Sequence, residues 1–227
     1  MNKAVVLFSG GLDSTTCLEI ARSEGFDPCA LIFSYGQRHS IEMQSAKNLI
    51  SRLGISNYLQ LHVPLSEIGG SALTENLEVP AYNDRDNSEE IPATYVPARN
   101  TIFLSYALGW AEVLGAADIF IGVNVVDYSG YPDCRPEYIQ AFENMANLAT
   151  KKSVQEGLTY KIHTPLIYMS KGEIIQKGME LGIDYSWTHS CYNPDSSGLA
   201  CGVCDSCVLR RKGFVEAGIE DPTLYKE

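Results

Sequence analysis

The sequence predicts an α/β fold: a Rossmann-like, open and mostly parallel sheet with helices on both faces, plus a small C-terminal zinc-binding segment. Apolar segments of strand length alternate with amphipathic segments of helix length, which is typical of such a sheet. The chain has 227 residues, 45% of them hydrophobic, and this suits one compact domain with a sizeable core. Four of its seven cysteines lie close together near the end of the chain.

The elements of the first half follow from this alternation. An apolar run leads into a glycine loop, and helical spacing of apolar residues begins directly after the loop. In order, we predict a strand at 4–8, a helix at 13–24, a strand at 29–33, a helix that Ser40 caps and Gly54 ends, and a strand at 58–63.

The second half begins with a segment in which the regular spacing of apolar residues is lost. Residues 66–95 carry glycines, prolines and an acidic run with little periodicity, so they form either a mobile excursion that can close over a site or a surface loop without a role. Beyond them we predict a helix at 99–114 that is apolar on most faces and well buried, a strand at 118–122, a helix at 136–149, a strand at 160–163, a helix from the Ser170–Glu173 capping box to Gly182, and a short helix in the tail.

Four polar segments follow the predicted strands or lie between them. In an open parallel sheet, ligands bind beyond the carboxyl ends of the strands, near the point where the strand order reverses. We therefore expect one active site at this edge, built from residues 9–15, 34–39, 96–100 and 123–135.

Charge and hydropathy exclude several classes of protein. Acidic residues outnumber basic ones by 28 to 17, for a formal charge of −11, which disfavours a protein that grips nucleic acid. No apolar stretch is long enough to span a membrane, and the N-terminus lacks the features of a signal peptide. We expect a cytoplasmic protein with neither a nucleic acid nor a membrane as its partner.

The first loop is the strongest functional signal. Ser9, Gly10 and Gly11 follow a strand directly, and Asp13, Ser14 and Thr15 open the next helix. Free N–H groups and the helix dipole at such a junction favour a bound anion. The loop lacks the lysine of a Walker A motif and the glycine spacing of a dinucleotide fingerprint. The alternative is a capped helix that binds nothing.

Three further segments carry side chains that suit the binding of a nucleotide or another anion. Tyr35, Gln37 and Arg38 offer an aromatic face, an amide and a cation at a strand end, as a nucleotide requires. Arg99 and Lys171 begin helices, where a cation opposes the dipole unless an anion lies nearby, although a salt bridge or an ordinary surface lysine also explains them.

The segment 127–135 suits a flat polar heterocycle that bears a carboxylate. Its tyrosines can stack, its carboxylates can accept from a guanine-like edge, and its arginine can pair with an anion. The candidate residues are Asp127, Tyr131, Asp133 and Arg135. A rigid surface turn is the alternative. Cys134 lies in the same segment, but free cysteines are most often small buried hydrophobes.

The cysteine cluster predicts a structural zinc site. Its ligands are Cys191, Cys201, Cys204 and Cys207. Four thiolates in a short segment match tetrahedral zinc, and an iron–sulfur cluster is the rival interpretation. His189 could replace one ligand, but four cysteines make it unnecessary.

These motifs together resemble a known family. SGGLDST resembles the pyrophosphate-binding loop of the PP-loop ATP pyrophosphatases, which have an adenine nucleotide alpha hydrolase-like fold. With SYGQRH, VPARN, DYSGYPDCR and the four-cysteine motif in that order, residues 4–210 resemble the 7-cyano-7-deazaguanine synthase family. No family motif falls in the central stretch from about residue 66 to 93.

The resemblance implies an ATP-dependent carbon–nitrogen ligase of queuosine biosynthesis, which converts 7-carboxy-7-deazaguanine and ammonia to the nitrile. It implies ATP, Mg²⁺ and one structural Zn²⁺ as cofactors. It assigns catalysis to Asp13, Ser14, Arg38 and Arg99. The residues that it implies for ATP binding are Phe8, Ser9, Gly10, Gly11, Leu12, Asp13, Ser14, Thr15, Thr16, Cys17, Leu18, Tyr35, Gln37 and Lys171. Those that it implies for binding of the deazaguanine substrate are Asp127, Tyr131, Asp133 and Arg135.

On this interpretation, residues 1–185 form the nucleotide-binding and catalytic domain and residues 186–227 the four-cysteine segment. Another PP-loop enzyme, such as an NAD synthetase or a tRNA-sulfurating enzyme, would share the first loop. A zinc-based nucleic-acid-binding protein would share the tail. The tail is also a candidate interface of a homodimer.

Overall fold

A parallel sheet forms the centre of the molecule. The computed structural model describes residues 1–36, 41–75, 77–82, 91–126 and 130–226, without the side chains of 41–43. The strands are β1 (Asn2–Leu7), β2 (Phe26–Ser34), β3 (Tyr58–His62), β4 (Asp118–Phe120) and β5 (Lys161–His163). Their order is β3-β2-β1-β4-β5, and every neighbouring pair is parallel. The chain therefore reverses its direction of winding between β1 and β4.

Helices cover both faces of this sheet. They are α1 (Leu12–Ser23), α2 (Ile41–Arg52), α3 (Arg99–Leu114), α4 (Pro136–Ala149), α5 (Lys151–Glu156), α6 (Lys171–Glu180) and α7 (Asp205–Ala217). Short 3₁₀ turns lie at Leu65–Glu67, Pro132–Cys134 and Tyr185–Trp187. No helix in the described ranges is long and apolar enough to cross a membrane.

The alternation of side chains along β1 separates two apolar cores. Val5 and Leu7 point to one face and pack in a cluster with residues of α3 and α4. Ala4 and Val6 point to the other face, where α1, α2 and α6 pack with Phe214 of α7. Both faces of β1 are therefore buried against helices. This burial explains why a central parallel strand has a continuous apolar sequence.

The predicted fold class is confirmed, and the differences lie in particular elements. Helices α3 and α4 have the predicted bounds. Strand β2 begins earlier than predicted because Asp27 and Pro28, poor strand formers, still pair with β1. Helix α5 was not predicted; the Thr150 hydroxyl caps it. Helix α6 ends at Glu180 rather than at Gly182.

Two further predictions concern exposure and position. The prediction that α3 is buried on most faces is wrong, because Tyr106 is 45% and Val113 80% exposed. The side of α3 that faces the sheet is buried, whereas the opposite side is exposed to solvent. The predicted cap Ser40 lies outside the described residues.

The described parts of 66–95 have no regular helix or strand beyond the first turn, yet their ends pack tightly. The N–H of Ala72 donates to the carbonyl of Ala93 (2.9 Å), and Thr94 is fully buried. The two ends of the excursion are thus tied to each other. Between them, the N–H of Tyr82 donates to the carbonyl of Val203 in the tail (2.7 Å).

Helix α7 attaches the C-terminal tail, which begins at residue 186, to the domain that contains the sheet. Glu216 accepts the N–H of Gly172 (3.2 Å) and the hydroxyl of Ser170, so that a carboxylate lies at the N-terminus of α6, where the helix dipole favours it. Arg210, which is almost fully buried, pairs with Asp221 (3.0 Å). Helix α7 is therefore anchored to the N-terminus of α6.

Candidate active site

A cleft of about 250 Å³ opens at the carboxyl ends of β1 and β4, at the reversal of the strand order. It is lined from the first loop by Phe8, Ser9, Gly11, Leu12, Asp13 and Ser14, and from elsewhere by Tyr35, Arg99, Asn100, Asn124 and Tyr131 among others. Each of the four predicted polar segments contributes at least one described residue to this lining.

The loop before α1 approaches its neighbours closely. Gly10 has a φ of +80°, and a Cβ on it would lie 2.9 Å from the Cα of Ala46 in α2. The loop is closed by the Ser14 hydroxyl, which lies 3.0 Å from that of Ser9, and by the Thr15 hydroxyl, which donates to the carbonyl of Gly11 (2.8 Å). Glycine at this position thus satisfies both a left-handed backbone and a steric requirement.

We expect Gly10→Ala to destabilise the protein more than Gly25→Ala. Both glycines have positive φ (+80° and +89°), but the space around Gly25 is open. The backbone conformation costs about 1–2 kcal/mol in either variant, and only Gly10→Ala adds the contact with Ala46. Urea denaturation of both variants measures the difference. Equal losses in the free energy of unfolding would contradict the close approach.

Asp13 and Lys171 form an ion pair beside this loop, at the start of α1. The Nζ of Lys171 lies 2.7 Å from Oδ1 of Asp13, and the lysine side chain is 7% and the aspartate side chain 26% exposed. Lys171 begins α6, and its stem packs against Gly213 of α7, where a Cβ would lie 2.2 Å away. The pair places a cation beside the anion loop, with the carboxylate lining the cleft.

Arg99 approaches the cleft from the first turn of α3. Ala98 before it has a φ of +52°, the only positive φ of a residue other than glycine in the described residues. The hydroxyl of Tyr95 accepts the N–H of Ala98 (2.9 Å), which holds this turn. Backbone strain of this kind persists only where the surrounding structure fixes it, and it is concentrated at functional sites.

The Arg99 guanidinium is a fixed positive charge. Burial lowers its pKa, but acidic groups around it offset this effect and raise the pKa above the ordinary value. In order of effect these groups belong to Tyr35, Tyr131, Tyr192 and Asp133. Arg99 is the only arginine or lysine lining the cleft among the described residues, and Asp13 is the only acid.

The described residues that are predicted to bind the deazaguanine do not all lie in the cleft. Tyr131 lines the cleft, and its hydroxyl lies 2.8 Å from that of Thr94. Asp133 is buried, and its carboxylate accepts the N–H of Asn100 (2.9 Å), so it caps α3 beside Arg99. Arg135 is exposed at the start of α4, outside the cleft lining.

Several predicted ATP residues lie within α1 and away from the cleft. Thr16, Cys17 and Leu18 are fully buried, and the hydroxyl of Thr16 lies 2.7 Å from that of Tyr185. The family resemblance assigns them to ATP together with the loop, but each step along a helix turns a side chain by about 100°, so that consecutive residues face different sides. Gln37, Arg38 and Asp127 lie outside the described residues.

Sequence reasoning missed one wall of the cleft. It consists of His189, Ser190, Tyr192 and Ser206 from the tail. The N–H of His189 donates to the carbonyl of Gly10 (3.1 Å), which ties this wall to the first loop. The only signal in the sequence is that these residues adjoin the cysteine cluster. His189, Ser190 and Tyr192 lie within two positions of Cys191, and Ser206 directly precedes Cys207.

The four cysteines of the tail can hold a metal ion. Their Sγ atoms all lie within 4.8 Å of one another, and none forms a disulfide. The Sγ atoms of Cys201 and Cys207 are 3.9 Å apart, close to the roughly 3.8 Å expected for two ligands of tetrahedral zinc. Cys191 Sγ accepts N–H groups from Asn193 (3.3 Å) and Cys201 (3.1 Å), which stabilises a thiolate.

Comparison with solved structures identifies the class of fold. The chain is similar to NMN synthetase from Francisella tularensis, with a TM-score of 0.51 and 18% identity over 96% of this chain and 78% of that one. It is also similar to a predicted subunit of tRNA methyltransferase from Methanocaldococcus jannaschii, with a TM-score of 0.50 and 16% identity over 100% and 93% of the two chains. At these identities the likeness concerns the fold alone, a parallel α/β sheet with helices on both faces.

Sequence comparison identifies the family. The chain belongs to the family of queuosine biosynthesis protein QueC, whose profile matches residues 3–218. It is 65% identical to the 7-cyano-7-deazaguanine synthase of Syntrophobacter fumaroxidans, over 98% of this chain and 96% of the relative. It is 63% identical to the one from Solidesulfovibrio magneticus, over 99% and 96% of the two chains. The predicted family is thereby confirmed.

Proposed function

We propose that this protein is an ATP-dependent ligase that converts 7-carboxy-7-deazaguanine and ammonia to 7-cyano-7-deazaguanine in queuosine biosynthesis. One observation carries the proposal within this family. The anion loop with Asp13 and the Arg99 guanidinium face the same cleft, so that a nucleotide phosphate and a second anionic ligand can meet there. Aromatic side chains in the same lining, among them Tyr35 and Tyr131, offer surfaces for flat heterocycles.

The loop end of the cleft binds the phosphates of ATP. N–H groups at the start of α1, with the helix dipole behind them, face the β- and γ-phosphates. Lys171, held by Asp13, adds a positive charge near them. Mg²⁺ bound at the Asp13 carboxylate would neutralise negative charge that develops on the phosphates. The donor chemistry fits, since Asp13 is the carboxylate of the described cleft lining.

The Arg99 end holds the carboxylate of the deazaguanine against the α-phosphate. A carboxylate oxygen attacks this phosphorus, pyrophosphate leaves, and ammonia then displaces AMP to give the amide and a released proton. The amide oxygen attacks a second ATP in the same way, and loss of AMP and a proton gives the nitrile. Arg99 stabilises the negative charge of both transfers because its own charge is fixed.

The chemistry needs no protein nucleophile. Cys134 lines the cleft, but burial foremost, and the carboxylate of Asp133, raise its pKa to about 12. Asn100 donates to its sulfur (3.3 Å), which only partly offsets this. A thiol that stays protonated at neutral pH is a poor nucleophile. Free ammonia is itself the nucleophile, so neither a thioester nor an essential general base is required.

We assign Zn²⁺ to the four cysteines as a structural ion. The short distances among their sulfur atoms leave room for one ion and not for a cluster of several irons. All four positions of a tetrahedral ion would be filled by Cys191, Cys201, Cys204 and Cys207, so the ion has no open position for substrate. Its contribution is to fold the tail that forms one wall of the cleft.

A turnover assay tests this proposal. Zinc-loaded protein is incubated with ATP, ammonia and 7-carboxy-7-deazaguanine, and the products are followed by mass spectrometry. We expect 7-cyano-7-deazaguanine to form with two ATP consumed per nitrile, and guanine to be inert because it has no carboxylate. Absence of both nitrile and amide from folded, zinc-loaded protein would refute the substrate assignment.

A further inference from the structure

Three N–H groups around the first loop are each satisfied by a serine hydroxyl. The N–H of Ser9 donates to Oγ of Ser14 (3.2 Å), and the N–H of Gly11 donates to Oγ of Ser9 (3.3 Å). The N–H of Leu12 donates to Oγ of Ser190 (3.3 Å). The first two hydroxyls belong to the loop itself, whereas the third comes from the tail. The loop is therefore completed by a residue outside its own motif.

Ser190 is held in place from both sides. Its carbonyl accepts the hydroxyl of Ser206 (2.6 Å), and the N–H of the preceding His189 donates to the carbonyl of Gly10 (3.1 Å). The next residue is Cys191, and Ser206 is followed by Cys207, so each serine adjoins a member of the cysteine cluster. A change in the position of these two cysteines must move the hydroxyl that meets Leu12.

A hydroxyl in this position can orient the loop without competing strongly with an anion. The hydrogen bonds, at 3.2–3.3 Å, are at or just beyond the long end of the normal range, and the hydroxyl carries no charge. The bond from Leu12 fixes the first turn of α1, where the N–H groups and the dipole act on a phosphate. Losing it would free this turn and raise the entropic cost of binding an anion.

We propose that Ser190 is a positioning residue of the pyrophosphate site, and that the cysteine cluster sets its place through Cys191 and the Ser206 contact. The inference rests on the proposed function only in so far as the loop binds pyrophosphate. It links the metal segment to the phosphate end of the cleft, in addition to the wall that the segment contributes.

Calorimetric binding of inorganic pyrophosphate to zinc-loaded protein tests this role. We expect Ser190→Ala to weaken binding about 2- to 12-fold, the range for loss of one hydrogen bond, with zinc content unchanged. Ser196→Ala is the matched control, since Ser196 is an exposed serine of the same tail. Ser190→Thr keeps a hydroxyl and should restore most of the affinity, which a loss through misfolding would not allow.

A double-mutant cycle tests the connection to the cluster. Ser206→Ala should weaken pyrophosphate binding in the wild-type background and have little further effect in the Ser190→Ala background, because both act through one hydroxyl. Additive effects would refute the coupling. Equal or tighter binding by Ser190→Ala would overturn the positioning role, since the hydroxyl would then only occupy the place of the anion. If the wild-type protein binds neither pyrophosphate nor ATP, the proposed function fails as well.

Discussion

Asp13→Asn is expected to lower kcat/KM for nitrile formation by about 10²–10³-fold, the usual effect of removing one group that stabilises charge in the transition state. Asn keeps an oxygen that can accept from Lys171, so the contact at 2.7 Å can persist while the negative charge is lost. Without that charge the proposed Mg²⁺ would be held poorly, and the lysine would no longer be oriented by ion pairing. Steady-state kinetics with ATP and the carboxylate measure the loss.

Glu19→Gln is the matched control for this variant. Glu19 lies on the same helix and pairs with Arg22, and neither residue lines the cleft. Glu19→Gln removes the same charge from α1 as Asp13→Asn, so it should leave kcat/KM within about twofold, because the charge it removes is outside the site. Full activity of Asp13→Asn would contradict the placement of the phosphates at this loop.

Cys204→Ser is expected to abolish stoichiometric zinc binding and to unfold the tail locally. Apparent binding energies of structural zinc are about 10–16 kcal/mol, as large as the whole stability of a typical domain at about 5–15 kcal/mol. The cluster has only a small apolar core of its own, in which Ala200 is the one fully covered residue other than cysteine. The wall of the cleft should then lose its order, and pyrophosphate binding should fall with it.

Elemental analysis and hydrogen exchange measure these two effects. We expect about one zinc per wild-type chain, none in Cys204→Ser, and faster amide exchange in residues 188–226 with the β1–β2 amides unchanged. Cys29→Ser, a change at a buried thiol of β2, should keep its zinc. A metal-free Cys204→Ser protein with a fully protected tail would show that the cysteines do not organise this segment.

Local sequence pattern was sufficient for the elements whose signals are short-range. The bounds of α3 and α4 follow from apolar spacing, the left-handed Gly115 and the proline that opens α4. The anion loop was visible for the same reason, since its strand, glycines and helix start are contiguous. Burial of α3 was overestimated because hydropathy does not tell which side of a helix has a partner.

The missing parts of the site depend on contacts between distant segments. Ser190 meets Leu12 only because the tail folds back over the sheet edge, and no local pattern encodes that path. Asp133 has the residue type expected of a ligand-binding group, but the fold places its carboxylate on the N–H of Asn100. Arg135 likewise has a suitable charge, yet α4 directs its start toward solvent. Residue type therefore indicated the chemistry, and topology decided which side chains reach the cleft.

The central claim is that one cleft activates the carboxylate twice, each time at the α-phosphate of ATP. The fate of the carboxylate oxygens tests it most directly. With both oxygens of 7-carboxy-7-deazaguanine labelled with oxygen-18, each activation should transfer one labelled oxygen to AMP, so that two singly labelled AMP molecules accompany each nitrile. Label recovered in inorganic phosphate or in ADP, or unlabelled AMP beside the nitrile, would contradict the account.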